Sequence, residues 1–249
     1  MPDEGILRAL AEAWLRDGGR GKRLLDLSCG AGTTARMLAA HGALVVATDY
    51  APAGCSEDNI RYVGGVDLND PLPFKSACFD GINLTEVIEH IEHQAQLIRE
   101  MSRVVKEEGV VVISTPNVLN VLSRLRFLFT GFLRGRVRPA HYSRGPGVAP
   151  NIYLLHFYEL YYLLFHYGFV IEELRSTKVK FAPVFFALFL YPFMWLFSLE
   201  AVIHAEKDPV QRKYNWQILK YFFSRSLLFS DNIVVKARKK RLHENRLGP

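Results

Sequence analysis

The sequence predicts an α/β chain, a largely parallel sheet with helices laid against it. Three observations carry that expectation. An apolar run at Leu24, Leu25 and Leu27 precedes glycines at 30 and 32 and then a helical stretch from Thr34 to His41. Strand, turn and helix in that order open a βαβ unit. Short apolar runs recur at 43–49, 60–66, 79–85 and 110–114, with loop or helical sequence between them, as buried parallel strands require. At 249 residues and 49% hydrophobic composition, the chain suffices for one large domain.

The elements follow in order. Residues 6–15 place their large apolar side chains on one side of a helix, expected beside the first strand. In the glycine turn, Gly30 and Gly32 tolerate positive φ and let a ligand lie against bare backbone. The following helix N-terminus offers free N–H groups. A dinucleotide loop would need G-x-G-x-x-G. Here Ser28 holds the first glycine position and Arg36 falls near the third, so that pattern fails. Asp26, just before the glycines, would repel a pyrophosphate and suits a positively charged ligand. The strand at 43–49 ends in Asp49, about 20 residues past the turn, where an acid can accept hydrogen bonds from ribose hydroxyls. As a loop-end aspartate it would need no such role. Strand three, 60–66, closes at Asp67 and Leu68, and strand four is expected at 79–85. A helix over 97–105, ended by Glu108 and Gly109, leads to strand five at 110–114. A helix from His156 toward Gly168 precedes strand six (170–174), and strand seven is expected at 231–237.

The run Asp26-x-Ser28-Cys29-Gly30-x-Gly32 resembles motif I of the class I S-adenosylmethionine-dependent methyltransferases, with Ser28 in place of its first glycine. Pro71-Leu72-Pro73-Phe74 through Asp80 resembles the family's approach to strand four. Thr85-Glu86-Val87-Ile88-Glu89-His90-Ile91 resembles the segment after that strand in the ubiquinone-biosynthesis (type 11) group. The resemblance covers 22–117. It implies a Rossmann-like sheet of order 3-2-1-4-5-7-6 with strand seven antiparallel, and S-adenosyl-L-methionine as cofactor. It places Asp26, Ser28, Gly30 and Gly32 at the cofactor, with Asp49 and Tyr50 at the ribose, Asp67 and Leu68 at the adenine, and Thr85 and Glu86 at the strand edge. His90, or His156 from the acceptor side, is a candidate to remove a hydroxyl proton. His90 packing or capping its loop is the alternative, and His141 and Tyr142 are weaker candidates. No metal-ligand spacing is present.

Two insertions depart from the minimal fold, at 118–150 and 181–230. Residues 118–138 interleave Leu119, Leu122, Leu125, Phe129, Phe132 and Leu133 with Arg124, Arg126, Arg134, Arg136 and Arg138. Residues 181–199 carry no charge at all and reach the length of a bilayer-spanning helix, with Pro183 and Pro192 inside. A single crossing is incompatible with strands six and seven sharing one sheet. A re-entrant hairpin bent at Pro192, a surface helix, a lid or an oligomer contact remain open. Charge divides along the same line: 11 Lys/Arg against 17 Asp/Glu in 1–117, but 20 against 8 in 118–249. An acidic partner is expected near the second half, and arginines flanking apolar residues, with Lys178, Lys180 and the run to Arg241, fit an anionic membrane surface. Nucleic acid is disfavoured, since no RNA-binding motif appears. Cys29, Cys55 and Cys78 look like free thiols, and no apolar leader precedes Ile6. The expectation is a cytoplasmic protein at the inner face of a membrane, an O-methyltransferase of an amphiphile such as a lipid-linked glycan or isoprenoid quinone precursor. A methyltransferase-like scaffold without catalysis is the alternative.

Overall fold

The computed structural model describes residues 3–15, 19–51, 57–133, 153–177, 179 and 181–240. Seven strands form one sheet: β1 (Arg23–Leu27), β2 (Leu44–Asp49), β3 (Ile60–Gly64), β4 (Phe79–Thr85), β5 (Val105–Pro116), β6 (Phe169–Ser176) and β7 (Asn232–Lys239). Their order is β3-β2-β1-β4-β5-β7-β6. The pairs from β3 through β5 are parallel, and β7 runs antiparallel to both β5 and β6. This is the expected sheet.

Alternation along the strands builds two cores, because successive side chains point to opposite faces. Leu25, Leu27, Val111 and Ile113 join one core and Leu24, Val110 and Val112 the other. The first is covered by α3 (Gln94–Val104) and α5 (Phe157–His166), the second by α1 (Glu4–Leu15) and α2 (Thr33–Ala40).

Two expectations about these helices need correction. The first helix does not lie beside β1. It covers β7, β5 and β6, and Trp14 reaches over β4, where a Cβ at Gly81 would come within 2.6 Å of the indole. The absent side chain at 81 is what admits the ring. Lys236 of β7 donates Nζ–H to the Ala13 carbonyl and ties α1 down from below. The helix expected over 97–105 runs Gln94–Val104, and it is ended by Val105, already extended and paired with Phe79, rather than by Glu108 and Gly109. Glu108 takes a left-handed φ of 62° inside the strand that follows.

The second half is built on β5. Asn117 donates to the carbonyls of Leu227 and Ser230 at 2.9 and 2.8 Å. Asn120 caps α4 (Val121–Thr130) by accepting from the Ser123 amide at 2.8 Å. Gly131, left-handed at φ 69°, ends α4. After β6, α6 (Phe181–Leu199) runs through Pro192 as one continuous helix into a π turn at Glu200–His204. The chain returns through α7 (Pro209–Phe222) and the short α8 (Arg225–Phe229) to β7. A small separate core of Val121, Ala187 and Leu228 joins α4, α6 and α8. Tyr191 and Trp195 set their rings against Phe223 at 5.3 and 4.9 Å. Pro183–His204 has the length and composition of a membrane-crossing helix, and little of it is buried. Both of its ends nevertheless lead to neighbouring strands of one sheet, so it projects and returns. Arg134, Arg136, Arg138, His141, Tyr142, Cys55, Lys178, Lys180 and Arg241 lie outside the described residues.

Candidate functional site

The glycine turn joins β1 to α2 beyond the carboxyl edge of the sheet. Ser28, Gly30 and Gly32 all have positive φ, at 56°, 51° and 75°. Ser28 therefore keeps the backbone shape of the glycine it stands for, so the substitution does not spoil the turn. A left-handed L-residue costs about 1–2 kcal/mol, which local bonds offset: the Cys29 amide donates to the Thr48 carbonyl and the Gly32 amide to the Cys29 carbonyl, each at 2.8 Å. Nothing lies within 4 Å of where a Cβ on Gly30 would sit, so the turn presents an open face.

Asp26 is 1% exposed. Its Oδ1 accepts from Asn83 Nδ2 at 2.8 Å, while Asn83 Oδ1 accepts from Trp14 Nε1 at 3.3 Å. Asn83 Nδ2 also donates to Thr85 Oγ1 at 2.9 Å. This chain of contacts from α1 through β4 holds the carboxylate in place, and Oδ2 has no partner. Burial pushes its pKa up to about 7, against the pull of the Asn83 donor and the Ala35 backbone amide, with the nearby charge of Asp49 adding to the rise. The Ala35 amide lies beyond good hydrogen-bond geometry for Oδ2, and a sealed carboxylate short of donors costs free energy.

The remaining predicted residues separate into those at the turn and those drawn elsewhere. Asp49 Oδ2 accepts from the Gly30 amide at 2.8 Å and Oδ1 from the Ala51 amide at 3.2 Å. The carboxylate is thus fixed against the turn with acceptor sites to spare. Tyr50 beside it is 73% exposed. Asp67 accepts from the backbone and side-chain amides of Asn69, an Asx turn at the end of β3. Leu68, next in the chain, is 6% exposed and packs in the main core with Val66 and Leu72. Glu86 is held from within the sheet. With φ 55°, its carboxylate turns across the sheet, where Ser114 Oγ donates to Oε1 at 3.1 Å and Asn232 Nδ2 to Oε2 at 2.6 Å. It buttresses the β4–β5–β7 edge.

His90 is exposed, on a single 3₁₀ turn (Ile88–His90) beyond β4. His156 is the N-cap of α5: Nδ1 accepts from the Tyr158 amide at 3.1 Å, and Glu159 Oε2 accepts from the His156 amide at 2.9 Å. The lone pair a general base would use is already engaged. Burial lowers its pKa and Arg124's charge adds to the fall, while Glu159 opposes it. The His156–Glu159 spacing carries a capping-box signal. The sequence did not reveal the burial of Glu89 or the partly buried setting of Arg124. Glu89 is sealed in the core, accepting from Thr115 Oγ1 at 3.2 Å. Arg124, one turn into α4, donates Nε–H to the Leu119 carbonyl at 2.8 Å while its Nη2 is sealed without a partner.

Fold and turn together define a Rossmann-like nucleoside-binding domain whose loop offers a carboxylate where a pyrophosphate binder offers space. Residues 25–113 match the sequence profile of a family described as the methyltransferase domain. A probable S-adenosylmethionine-dependent methyltransferase of Mycobacterium tuberculosis is 34% identical over 98 residues, covering 38% of this chain and 35% of that protein. A ubiquinone biosynthesis O-methyltransferase of Pseudomonas syringae is 28% identical over 140 residues, 46% of this chain and 59% of that one. Thus the alignments span about a third to three-fifths of these relatives' own lengths. Among solved structures, an S-adenosylmethionine-dependent methyltransferase from Archaeoglobus fulgidus superposes with a TM-score of 0.57 at 16% identity, over 95% of each chain. Residues 25–113 are thus similar to a methyltransferase domain, and the same stretch is what the S-adenosylmethionine-dependent relatives share with this chain.

Proposed function

We propose that the protein transfers a methyl group from S-adenosyl-L-methionine to an oxygen of a membrane-associated amphiphile. The observation that carries this reading is the orphaned Oδ2 of Asp26 beside the open turn at Gly30. Asp26 would accept the cofactor's ammonium, directly or through one water, Asp49 the ribose hydroxyls, and Asp67 the adenine amino group. Ser28, Gly30 and Gly32 supply a backbone surface without bulky side chains. The bound cofactor contributes an electrophilic methyl on a good leaving group, so the chain's task is chiefly alignment. His90, exposed at the carboxyl edge of β4, is the candidate to take the acceptor's proton near neutral pH. His156, engaged as a helix cap, is not.

The acceptor's nature is supported by α6. Phe189, Phe193, Leu196 and Phe197 share one face of that helix and are each 60–68% exposed, and Phe127, Leu128 and Phe129 of α4 are exposed beside it. A contiguous apolar face of this kind marks an interaction site. Along α7 a groove of about 860 Å³ is lined by Arg212, Lys213 and Lys220 together with Trp216 and Tyr221. Basic and aromatic residues flanking an apolar helix suit the interface of an anionic leaflet, where each Lys or Arg contributes about 1 kcal/mol. The protein would then sit at the cytoplasmic face, projecting α6 into the bilayer's interfacial zone.

Titration calorimetry tests the cofactor half. S-adenosylhomocysteine should bind and NAD should not, and Asp49→Ala should weaken binding by about 1.5–3 kcal/mol as charge-assisted bonds are lost. Absence of heat with both S-adenosylmethionine and S-adenosylhomocysteine would instead favour a scaffold without catalysis.

A further inference from the structure

Three consecutive residues near the end of α1 each grip a different strand. Glu12 accepts from Arg175 Nη1 of β6 at 2.6 Å, and the Ala13 carbonyl accepts from Lys236 Nζ of β7 at 3.1 Å. Trp14 Nε1 donates to Asn83 Oδ1 of β4 at 3.3 Å. The indole is thus placed from outside β4, and it lies 4% exposed in the gap that Gly81 leaves. Asn83 is fully buried, and its Nδ2 donates twice, to Asp26 Oδ1 at 2.8 Å and to Thr85 Oγ1 at 2.9 Å.

Trp14 decides which way round this amide sits. A primary amide offers hydrogens at one end and only lone pairs at the other. The Thr85 hydroxyl can give or take, so it accommodates either orientation. Asp26 does not decide it either. Burial raises its pKa to about 7, so near neutrality it exists in both forms. The carboxylate takes an N–H, whereas the protonated acid can donate to an amide oxygen instead. The indole N–H alone is a fixed donor that never accepts. Turning the amide over would set that N–H against the NH2 group and leave a buried donor without an acceptor, a strongly disfavoured state. Asp49 on β2 is the charged neighbour that acts on Asp26, and it adds to the rise. Other polar groups on the surrounding elements are engaged elsewhere: Arg36 of α2 with Glu57, Glu12 with Arg175, and Glu86 with Ser114 and Asn232. Lys236 is bonded to the Ala13 carbonyl, and the Cys29 thiol in the turn faces the Gly30 carbonyl.

We propose that Trp14 is a positioning residue for the cofactor: its indole N–H keeps the Asn83 amide with its hydrogens toward Asp26, so that the carboxylate stands ready for the cofactor's ammonium. This rests on the reading of Asp26 as the ammonium's partner and extends it to a helix remote from the turn. Trp14 acts only through Asn83.

The test is Trp14→Phe in the full chain, which keeps a ring in the gap at Gly81 and removes the N–H. Without that donor the amide can turn over when Asp26 is protonated, which stabilises the acid and raises the pH at which it ionises. S-adenosylhomocysteine binding, followed by calorimetry, should weaken about tenfold at pH 6 and by no more than about twofold at pH 8. That is the pattern expected when the ionisation moves from about 7 to about 8. In the ligand-free protein, carboxyl-carbon NMR should show the same upward move for Asp26. A side chain that merely supports the fold would weaken binding equally at both pH values, and that result overturns the proposal. Asn83→Leu removes the amide through which Trp14 acts. In that background Trp14→Phe should leave the pH profile where Asn83→Leu put it, and a full additional shift overturns the proposal. The parent protein supplies a check that needs no change at position 14. Its Trp14 indole proton, told apart by replacing Trp195 and Trp216, should shift as Asp26 titrates and again on ligand binding. An indole resonance indifferent to both overturns the proposal. Absence of S-adenosylhomocysteine binding in the parent sinks the methyltransferase reading itself, whereas binding in the parent with an unchanged profile in Trp14→Phe sinks only the role of Trp14.

Discussion

The two halves of this molecule treat a charged side chain differently: among the described residues Asp26 is sealed within the fold, whereas Arg124 is only partly buried. Asp26 is held by a chain of side chains reaching from Trp14 through Asn83, beneath a turn whose geometry is fixed by backbone bonds to β2. Arg124 stands on a helix whose outward face is apolar and unpartnered. The first arrangement fixes the groups around the turn before any ligand arrives. The second leaves apolar side chains of α4 and α6 open to solvent.

That contrast can be broken most decisively at α6. Replacing Phe189, Phe193, Leu196 and Phe197 together by Ser should abolish liposome flotation. Burying each such side chain is worth about 1.5–3 kcal/mol, so four amount to several orders of magnitude in partitioning. These residues are mostly exposed, so circular dichroism and S-adenosylhomocysteine binding should stay as in the parent. Flotation equal to the parent's would remove the membrane from the account.

Asp26→Asn comes next in size. It should weaken S-adenosylmethionine binding roughly 10- to 100-fold, the equivalent of one charge-assisted bond. It should also raise the ligand-free protein's stability at pH 8. The sign follows from the raised pKa. The folded state holds this proton up to about pH 7, the unfolded state only to about pH 4. Asp26's contribution is therefore fully present below about pH 4 and lost as pH rises through 7. Thermal melts of the parent and Asp26→Asn at pH 5 and pH 8 check it: the variant's advantage should appear only at the higher pH. For the same reason, cofactor affinity should fall by up to tenfold per pH unit below about 7, with a proton released on binding, visible when calorimetry is repeated in buffers of different ionisation enthalpy. A pH-independent affinity would detach Asp26 from the ligand. The smallest effect is Ser28→Gly, which relieves left-handed strain. A gain of about 1 kcal/mol should raise the melting temperature by roughly 2–4 °C.

The glycine turn and the existence of the strands were legible because each is written locally, whereas the sheet order came from the family resemblance and β5 runs well beyond the 110–114 expected. Apolar runs of strand length with glycines between them specify β1 to β4, and the antiparallel β7 followed from the family resemblance. What sequence could not supply was long-range side-chain pairing. Glu86 looked like a strand-edge ligand until Ser114 and Asn232, 28 and 146 residues away, were seen to hold it. The core packing of Leu68 with Val66 and Leu72 was likewise not written locally, since a single apolar residue at a strand end carries no mark of which side it will face. The first helix was placed beside β1 by proximity in sequence, yet the gap at Gly81 and the Lys236 tie draw it to the other end of the sheet. His156 shows the opposite case: the cap was written in the sequence, in the three-residue step to Glu159, and the lure of a histidine near neutral pKa hid it.

The position of β7 bears on how the protein is made. It fills the slot between β5 and β6, yet it emerges from the ribosome after them and after the uncharged α6. During synthesis the nascent chain therefore shows a bare strand edge and an oily helix at the same time, the combination most prone to aggregation. Until that last strand slides in, a bilayer or a chaperone close to the exit tunnel is the safest place for α6. Membrane encounter would then begin before the catalytic fold is finished.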